Sequence, residues 1–463
     1  GDEDFSLFLR TAFIKAMGYS DDALDRPIVG ITNTFSGFNA CHRNVPELIE
    51  AVKRGVMLAG GLPVEFPTIT LHESFAHPTS MFLRNLMSMD TEEMLRAQPM
   101  DAVVLIGGCD KTVPAQLMGA ASANLPAIQL ITGSMLTGSH RSERVGACTD
   151  CRRYWAMFRS ESIDQDQIDE VNNQLVASVG TCSVMGTAST MGCIVETLGM
   201  GLPGSGSIPA THSDRLRVAE ATGKLAAEMA VKQGPKPSEI MTRAAIRNAL
   251  TVLQAIGGST NVLVHLTAVA RRLGIEIELE EFDAIGRKVP VLVDLKPSGD
   301  HYMEHFHWAG GNSRLMREIR KHLDERCRTV EGRTLRQVID AAEIVPGQTV
   351  IRTPSNPIKP TGGMAVPFAD DWSCGIQLGD GQWPGLVAEP LFAADLMPVC
   401  AARLANALKR PGDLKGPSLI RVAHSPDDWP SWLKAAGVPR LTARGPEFQF
   451  YGQALQGRPG TTA

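Results

Sequence analysis

Ala102-Val103-Val104-Leu105-Ile106 is an unbroken apolar run that stops at Gly107-Gly108. A strand with one face in water alternates apolar and polar residues, so a run that is apolar at every position is covered on both faces. Such strands belong to parallel sheets with helices on either side. Residues 28–31 and 125–131 read as further strands, and residues 68–71 as a short β-branched one after Pro67. Val45–Leu58 places Leu48, Val52 and Val56 at helical spacing. A helix is expected around Pro114, because proline suits a first helical turn. Strands alternating with helices predict βαβ units around a parallel sheet. The middle third reads as helical over 164–176, with Ser162 as N-cap, and over 185–198, 213–233 and 238–255.

Composition narrows the function classes. The chain of 463 residues has room for a large core, and 43% hydrophobic with 21% charged residues is ordinary for a globular protein. A net charge of −5 gives no electrostatic reason to bind nucleic acid. No apolar run reaches the ~18 residues that would suggest a membrane-spanning helix. The start, Gly1-Asp2-Glu3-Asp4, lacks the apolar stretch of a signal peptide, so a cytoplasmic protein is expected. Nine cysteines are too sparse for a disulfide scaffold and read as reduced thiols open to metal or catalytic work. Composition shifts at residue 366. Residues 366–463 hold four of the six tryptophans (Trp372, Trp383, Trp429, Trp432) and 11 of the 29 prolines. Arg410-Pro411-Gly412-Asp413 and Ser425-Pro426-Asp427-Asp428-Trp429-Pro430 read there as loops.

Chemistry-bearing residues gather where strands end. Gly107-Gly108-Cys109-Asp110-Lys111 sets a soft ligand, a hard ligand and a cation at one strand end, where open α/β sheets bind ligands. Cys41, in Asn39-Ala40-Cys41-His42, also follows a strand. Cys182 lies among small residues in Gly180-Thr181-Cys182-Ser183-Val184-Met185-Gly186, which lets backbone approach a bulky inorganic group. Glu73 follows residues 68–71. Three separated cysteines can supply three thiolates to one iron–sulfur cluster and leave an iron open as a Lewis acid. Glu73 and Asp110 offer hard oxygens suited to Mg²⁺. Cys148-Thr149-Asp150-Cys151 competes as half of a zinc site, but no second half follows at zinc-finger spacing. Gly257-Gly258-Ser259-Thr260-Asn261 separates two helical stretches, with Ser259 or Thr260 as N-cap. Such a helix start can also bind a substrate carboxylate or phosphate.

In order and separation, these motifs resemble the dihydroxy-acid and sugar-acid dehydratases, the family that includes phosphogluconate dehydratase. The likeness rests on Cys41 in its loop, Cys109-Asp110-Lys111 with Pro114, and Cys182 within Cys-x-x-Met-x-Thr-Ala-x-Thr-Met. Gly257-Gly258-Ser259-Thr260-Asn261 with His265, and Asn356-Pro357-Ile358 before Thr361-Gly362-Gly363-Met364-Ala365, extend it along residues 1–365. The resemblance implies an α/β fold: an N-terminal parallel-sheet domain over 1–345, the start of a C-terminal domain over 346–365, and a 366–463 tail in which the family's β-barrel domain is replaced or incomplete. Cys41, Cys109 and Cys182 would hold an iron–sulfur cluster, 2Fe–2S rather than 4Fe–4S. Glu73, Asp110 and a carbamylated Lys111 would bind Mg²⁺. Ser259, Thr260 and Asn261 would meet the substrate. A homodimer or homotetramer acting on a small hydroxy acid is implied, with neither nucleic acid nor membrane as partner.

The implied activity is that of a hydro-lyase, dihydroxy-acid dehydratase foremost, which turns a 2,3-dihydroxy carboxylic acid into a 2-keto acid. That chemistry serves branched-chain amino-acid biosynthesis or sugar acid metabolism. The family's later Mg²⁺-binding Glu and its Arg-x-Ser-Gly-Gly stretch, whose Ser is the proposed base, have no match after Val366. Ser373, Ser418, Ser425 and Ser431 lie in other contexts, so no catalytic base is assigned. Such a tail fits a truncated or frame-shifted relative that binds metal without turnover, loosely packed, with its tryptophans partly exposed. A redox iron–sulfur protein is a third reading. It needs a fourth ligand, for which Cys148, Cys151 and Cys193 are candidates.

Overall fold

The computed structural model describes residues 3–77 and 79–365, and in the tail 410–415, 419, 421–422, 428–442, 444 and 447–448. After two N-terminal helices, α1 (Glu3–Ala16) and α2 (Asp21–Leu24), strands and helices alternate. The order is β1 (Ile28–Asn33), α3 (Val45–Leu58), β2 (Leu62–Pro67), α4 (Met81–Ala97), β3 (Ala102–Gly107), α5 (Thr112–Ala123) and β4 (Ala127–Ile131). A hairpin of β5 (Gly138–His140) and β6 (Glu143–Val145) precedes the helical middle. That middle comprises α6 (Asp150–Arg159), α7 (Gln165–Leu175), α8 (Thr187–Leu198), α9 (Ser213–Lys232), α10 (Pro237–Ile240), α11 (Arg243–Ala255) and α12 (Asn261–Arg272).

The four strands form one parallel sheet in the order β2-β1-β3-β4. Every residue of β3 and β4 is buried, as the apolar run predicts. Helices α3 and α9 cover one face, and α5 packs on β3 and β4 with α4, α8 and α12 against it. The α3–α9 crossing is close enough to need glycine on both helices. A Cβ at Gly55 would strike the carbonyl of Glu220, and one at Gly223 that of Val52.

Several boundaries depart from the sequence reading, each for a local reason. Residues 68–71 are not a strand, because pairing with β1 ends at Asn33 and Pro67. β2 lies at the sheet edge, where Pro63 and Pro67 are tolerated. The stretch 238–255 is two helices, since the Thr242 hydroxyl accepts the Ala245 N–H at 3.3 Å and starts α11 afresh. Helix α4 was not legible in the sequence. Its inward stripe, Arg84, Met87, Ser88, Thr91 and Leu95, has helical spacing but is mostly polar. In the tail, Asp428–Ala435 is helical and residues 411–415 form a 3₁₀ turn, so neither segment is the plain loop expected.

The chain divides into two compact units, one of residues 1–155 with 165–366 and one of 156–164 with 367–463. Residues 346–365 belong to the first, where Gly362 and Gly363 donate to the carbonyls of Gly286 and Gln254. Within the second unit the described tail adds a two-residue parallel pairing, and Trp429 and Trp432 are half-buried and meet edge-to-face. Trp372, Trp383, Ser373, Ser418 and Ser425 lie outside the described residues. Among the described residues no helix is long and apolar enough to cross a membrane.

Candidate active site

The strand order reverses between β1 and β3. After β1 the chain adds β2 on one side, then returns to lay β3 on the other. Ligands in open α/β sheets bind beyond the strand ends at such a switch point. Cys41, in the short turn Ala40–His42 after β1, and Cys109, directly after β3, are both there. Each is near enough to the other for Cys109 to push the Cys41 thiol up.

His42, between them, was not singled out by the sequence, where it is simply the neighbour of Cys41. It is fully buried, and its Nε2 accepts the backbone N–H groups of Gly108 and Cys109, each at 3.0 Å. An acceptor Nε2 places the ring proton on Nδ1, which donates to the Thr34 carbonyl at 3.0 Å. Burial pushes this imidazole down to about 4, so it stays neutral. Gly108 is required at this crossing, since a Cβ there would collide with Thr132 and Thr181.

Cys182 arrives from a different part of the fold. Gly180, at φ +126°, donates to the Ala40 carbonyl at 3.1 Å, and Thr181 donates to Gly133 at 2.9 Å. These bonds tie the Cys182 loop to the turn bearing Cys41 and to the end of β4. Cys182 lies near enough to Cys41 and Cys109 to influence both electrostatically. The Cys148 Sγ meets it at 2.8 Å, whereas no such contact joins Cys148 to Cys151. The zinc pairing of the CxxC therefore has no geometric support, and Cys193 is sealed in the core.

Beside the thiols lies a charged trio. Lys111 is buried, and its Nζ donates to Asp110 Oδ2 at 2.6 Å and to Glu73 Oε2 at 3.2 Å. Burial opposes the Lys111 charge, but the two carboxylates lift its pKa above the ordinary lysine value. Partial burial likewise opposes ionisation of Glu73, yet the Ser80 hydroxyl and Lys111 hold it low. Asp110 is raised by burial, which Lys111 only partly offsets. His265 is buried close enough to feel Lys111. Its Nδ1 faces Arg84 at 2.9 Å, while its Nε2 has no partner among the described residues.

Ser259, Thr260 and Asn261 form the turn before α12. The Ser259 hydroxyl lies 2.8 Å from Thr187 Oγ1, and Asn261 donates to the same oxygen at 3.4 Å. The turn is thus bound to the start of α8, a few residues after Cys182. Thr260 takes the N-cap position, but its side chain makes no capping bond, and Ser259 is turned toward Thr187 instead.

The donors are of two kinds, thiol sulfur and carboxylate oxygen, suited to a soft and a hard metal respectively, and they adjoin where Cys109 Sγ lies 3.5 Å from Asp110 Oδ1. Hydrogen bonding to Cys109 and burial push the Cys41 thiol up, and contact with Cys148 and burial do the same to Cys182. Packed thiols of this kind do not ionise together without a cation among them. Nor do they form a shell for a single ion. Among the described residues, three ligand atoms all within 4.8 Å of one another occur only at His212, Asp214 and His307. There Asp214 is already paired with Arg217. The Glu73–Lys111–Asp110 trio gathers two hard ligands around one positive charge.

The site is a parallel-sheet switch point at which cysteine thiols and the Asp110 and Glu73 carboxylates gather. The chain belongs to the family described as Dihydroxy-acid/6-phosphogluconate dehydratase N-terminal, which matches residues 26–338. It is 40% identical over 338 residues to 6-deoxy-6-sulfo-D-gluconate dehydratase of Pseudomonas putida, covering 73% of this chain and 58% of that one. It is 42% identical over 326 residues to L-arabinonate dehydratase of Rhizobium leguminosarum bv. trifolii, covering 70% and 56%. Dihydroxy-acid dehydratase of Acetivibrio thermocellus is 38% identical over 364 residues, covering 77% and 65%. The chain therefore spans less than two thirds of the length of each of these relatives.

Proposed function

We propose that this chain carries the metal-binding part of a hydro-lyase that dehydrates a 2,3-dihydroxy carboxylic acid, a dihydroxy-acid or a sugar acid, to a 2-keto acid. The observation that supports it best is one juxtaposition. Cys41 and Cys109 follow β1 and β3 at the switch point, Cys182 lies within electrostatic reach of both, and Asp110 and Glu73 share the Lys111 ammonium beside them. In this reading the three cysteines hold an iron–sulfur cluster, 2Fe–2S rather than 4Fe–4S. Glu73, Asp110 and a carbamylated Lys111 hold Mg²⁺. Bound there, the two groups would supply Lewis acidity for the departing hydroxyl and positive charge for the substrate carboxylate.

The chain's own residues do the rest of the positioning. His42 holds the backbone of Gly108 and Cys109 by two hydrogen bonds and, being neutral, adds no charge beside the thiols. Carbamylation turns the Lys111 cation into an anionic oxygen ligand, which reverses its relation to Asp110 and Glu73 from ion pair to shared coordination. The Ser259 and Asn261 side chains, set near Thr187, offer hydrogen bonds to a carboxylate. Their place at the start of α12 adds the positive end of a helix.

The test is anaerobic reconstitution with iron, sulfide and Mg²⁺, followed by measurement of 2-keto acid from dihydroxyisovalerate, arabinonate and gluconate. Turnover of one of these supports the reading and names the substrate class. Cluster binding without turnover favours the second reading, a relative that binds metal without turnover. Failure of the reduced chain to bind iron and sulfide would end both.

A further inference from the structure

Cys148 is not among the ligands assigned above, yet its Sγ lies 2.8 Å from the Sγ of Cys182. Two thiolates on one tetrahedral metal, with bonds of about 2.3 Å, keep their sulfurs nearly 4 Å apart. The observed separation is too short for that arrangement, and less than about 1 Å longer than a disulfide bond. Both sulfurs are delivered by anchored loops. On the Cys148 side, Asp150 accepts the Gly146 N–H at 2.9 Å and the Tyr302 hydroxyl at 2.8 Å. Cys148 itself is held at φ +81°, a conformation uncommon for a residue other than glycine. On the Cys182 side, Gly180 and Thr181 are bonded to Ala40 and Gly133. Exposure sets the pair apart as well. Cys148 faces solvent and Cys182 is half-buried, whereas Cys41 and Cys109 are both buried.

We propose that Cys148 and Cys182 form a reversible disulfide in the metal-free chain, which withholds Cys182 from the cluster and so gates cluster assembly. The bond rests on the geometry alone, and its effect on assembly rests on the cluster reading above. The oxidant is a small-molecule disulfide such as oxidised glutathione. The exposed Cys148 sulfur attacks one of its sulfurs, forming a mixed disulfide and expelling one small thiol. The Cys182 sulfur then attacks Cys148 and expels the second. Two protein thiols lose two protons and two electrons, and the small disulfide becomes two thiols. A dithiol reductant runs the sequence backwards. Cys41 and Cys109 are spared because the first exchange step needs access to solvent.

The experiment uses the full chain, stripped of iron under reducing conditions and then exposed to oxidised glutathione. Free thiols are counted after denaturation and the linked peptides are mapped by mass spectrometry. Two of the nine thiols should disappear, one peptide pair should join Cys148 to Cys182, and dithiothreitol should restore both. A Cys148–Cys151 link, a Cys41–Cys109 link or an unchanged count would overturn the bond. Iron and sulfide uptake is then followed by visible absorption. Oxidised wild type should take up no cluster until it is reduced, and reduced Cys148→Ser should take up as much as reduced wild type. Loss of uptake in reduced Cys148→Ser would make Cys148 a ligand and overturn the gate. No uptake by reduced wild type would overturn the cluster reading and the gate with it, while the peptide map still decides the bond.

Discussion

The unprotonated Nε2 of His42 accepts the backbone N–H of Cys109 at 3.0 Å, so the residue after one site cysteine fixes the position of another. The same nitrogen accepts the Gly108 N–H, and this single imidazole spans the switch point between β1 and β3. Replacing it should therefore disturb both stability and metal uptake. His42→Asn removes the acceptor and strands two buried N–H groups, at about 1–3 kcal/mol each. Thermal and urea unfolding should show the loss, and iron uptake should fall. His42→Gln, whose carbonyl reaches further, should recover part of both.

The same residue predicts a pH dependence. Burial lowers its pKa from 6.5 to about 4 in the folded chain. The unfolded chain takes up a proton near 6.5 that the folded chain refuses, so this contribution is complete above that pH. It is lost progressively as pH falls toward 4, and amounts to about 3 kcal/mol in all. His307, lowered to about 4 chiefly by burial, acts in the same direction. Urea midpoints at pH 7, 6 and 5 should fall for the wild type and fall less steeply for His42→Gln.

Lys111 is the cation shared by Asp110 and Glu73. Lys111→Met leaves two neighbouring carboxylates uncompensated, and unpairing a buried charge costs about 3–5 kcal/mol before solvent screening at the half-exposed Glu73 reduces it. The variant should melt at lower temperature in a chelator and regain stability in millimolar Mg²⁺, since a ligand that binds only the folded state stabilises it. Wild type should respond less, because its own ammonium already occupies that role. Calorimetry with and without Mg²⁺ checks this.

Gly108 passes between Thr132 and Thr181 with no room for a side chain. Gly108→Ala should destabilise by about 1–3 kcal/mol through overpacking. Adding Thr132→Ala removes one of the two obstacles, so the double variant should be more stable than the sum of the single changes predicts. Equilibrium unfolding of the three variants measures that coupling.

Much of the site was legible in one dimension. The Ala102–Gly107 strand, the Val45–Leu58 helix and the parallel alternation follow from hydrophobic period, which neighbouring residues set among themselves. Cys41 and Cys109 were legible as residues past strand ends, and Lys111 with Asp110 as neighbours in sequence. Helix α4 was not, because polar Arg84, Ser88 and Thr91 occupy its buried face. Their burial depends on partners far away, such as His265 beside Arg84.

The sequence by itself determined the elements, the ligand types and the family to which they belong. Only the tertiary structure decided which of these residues meet. Strand order sets β1 beside β3 and so Cys41 beside Cys109, although 68 positions separate them in the sequence. A positive-φ glycine, Gly180, brings Cys182 to the same edge, and an anchored loop turns Cys148 toward Cys182 and away from Cys151. Local spacing cannot encode these meetings. They come from hydrogen bonds and packing between segments that become neighbours only once the sheet and its covering helices have formed.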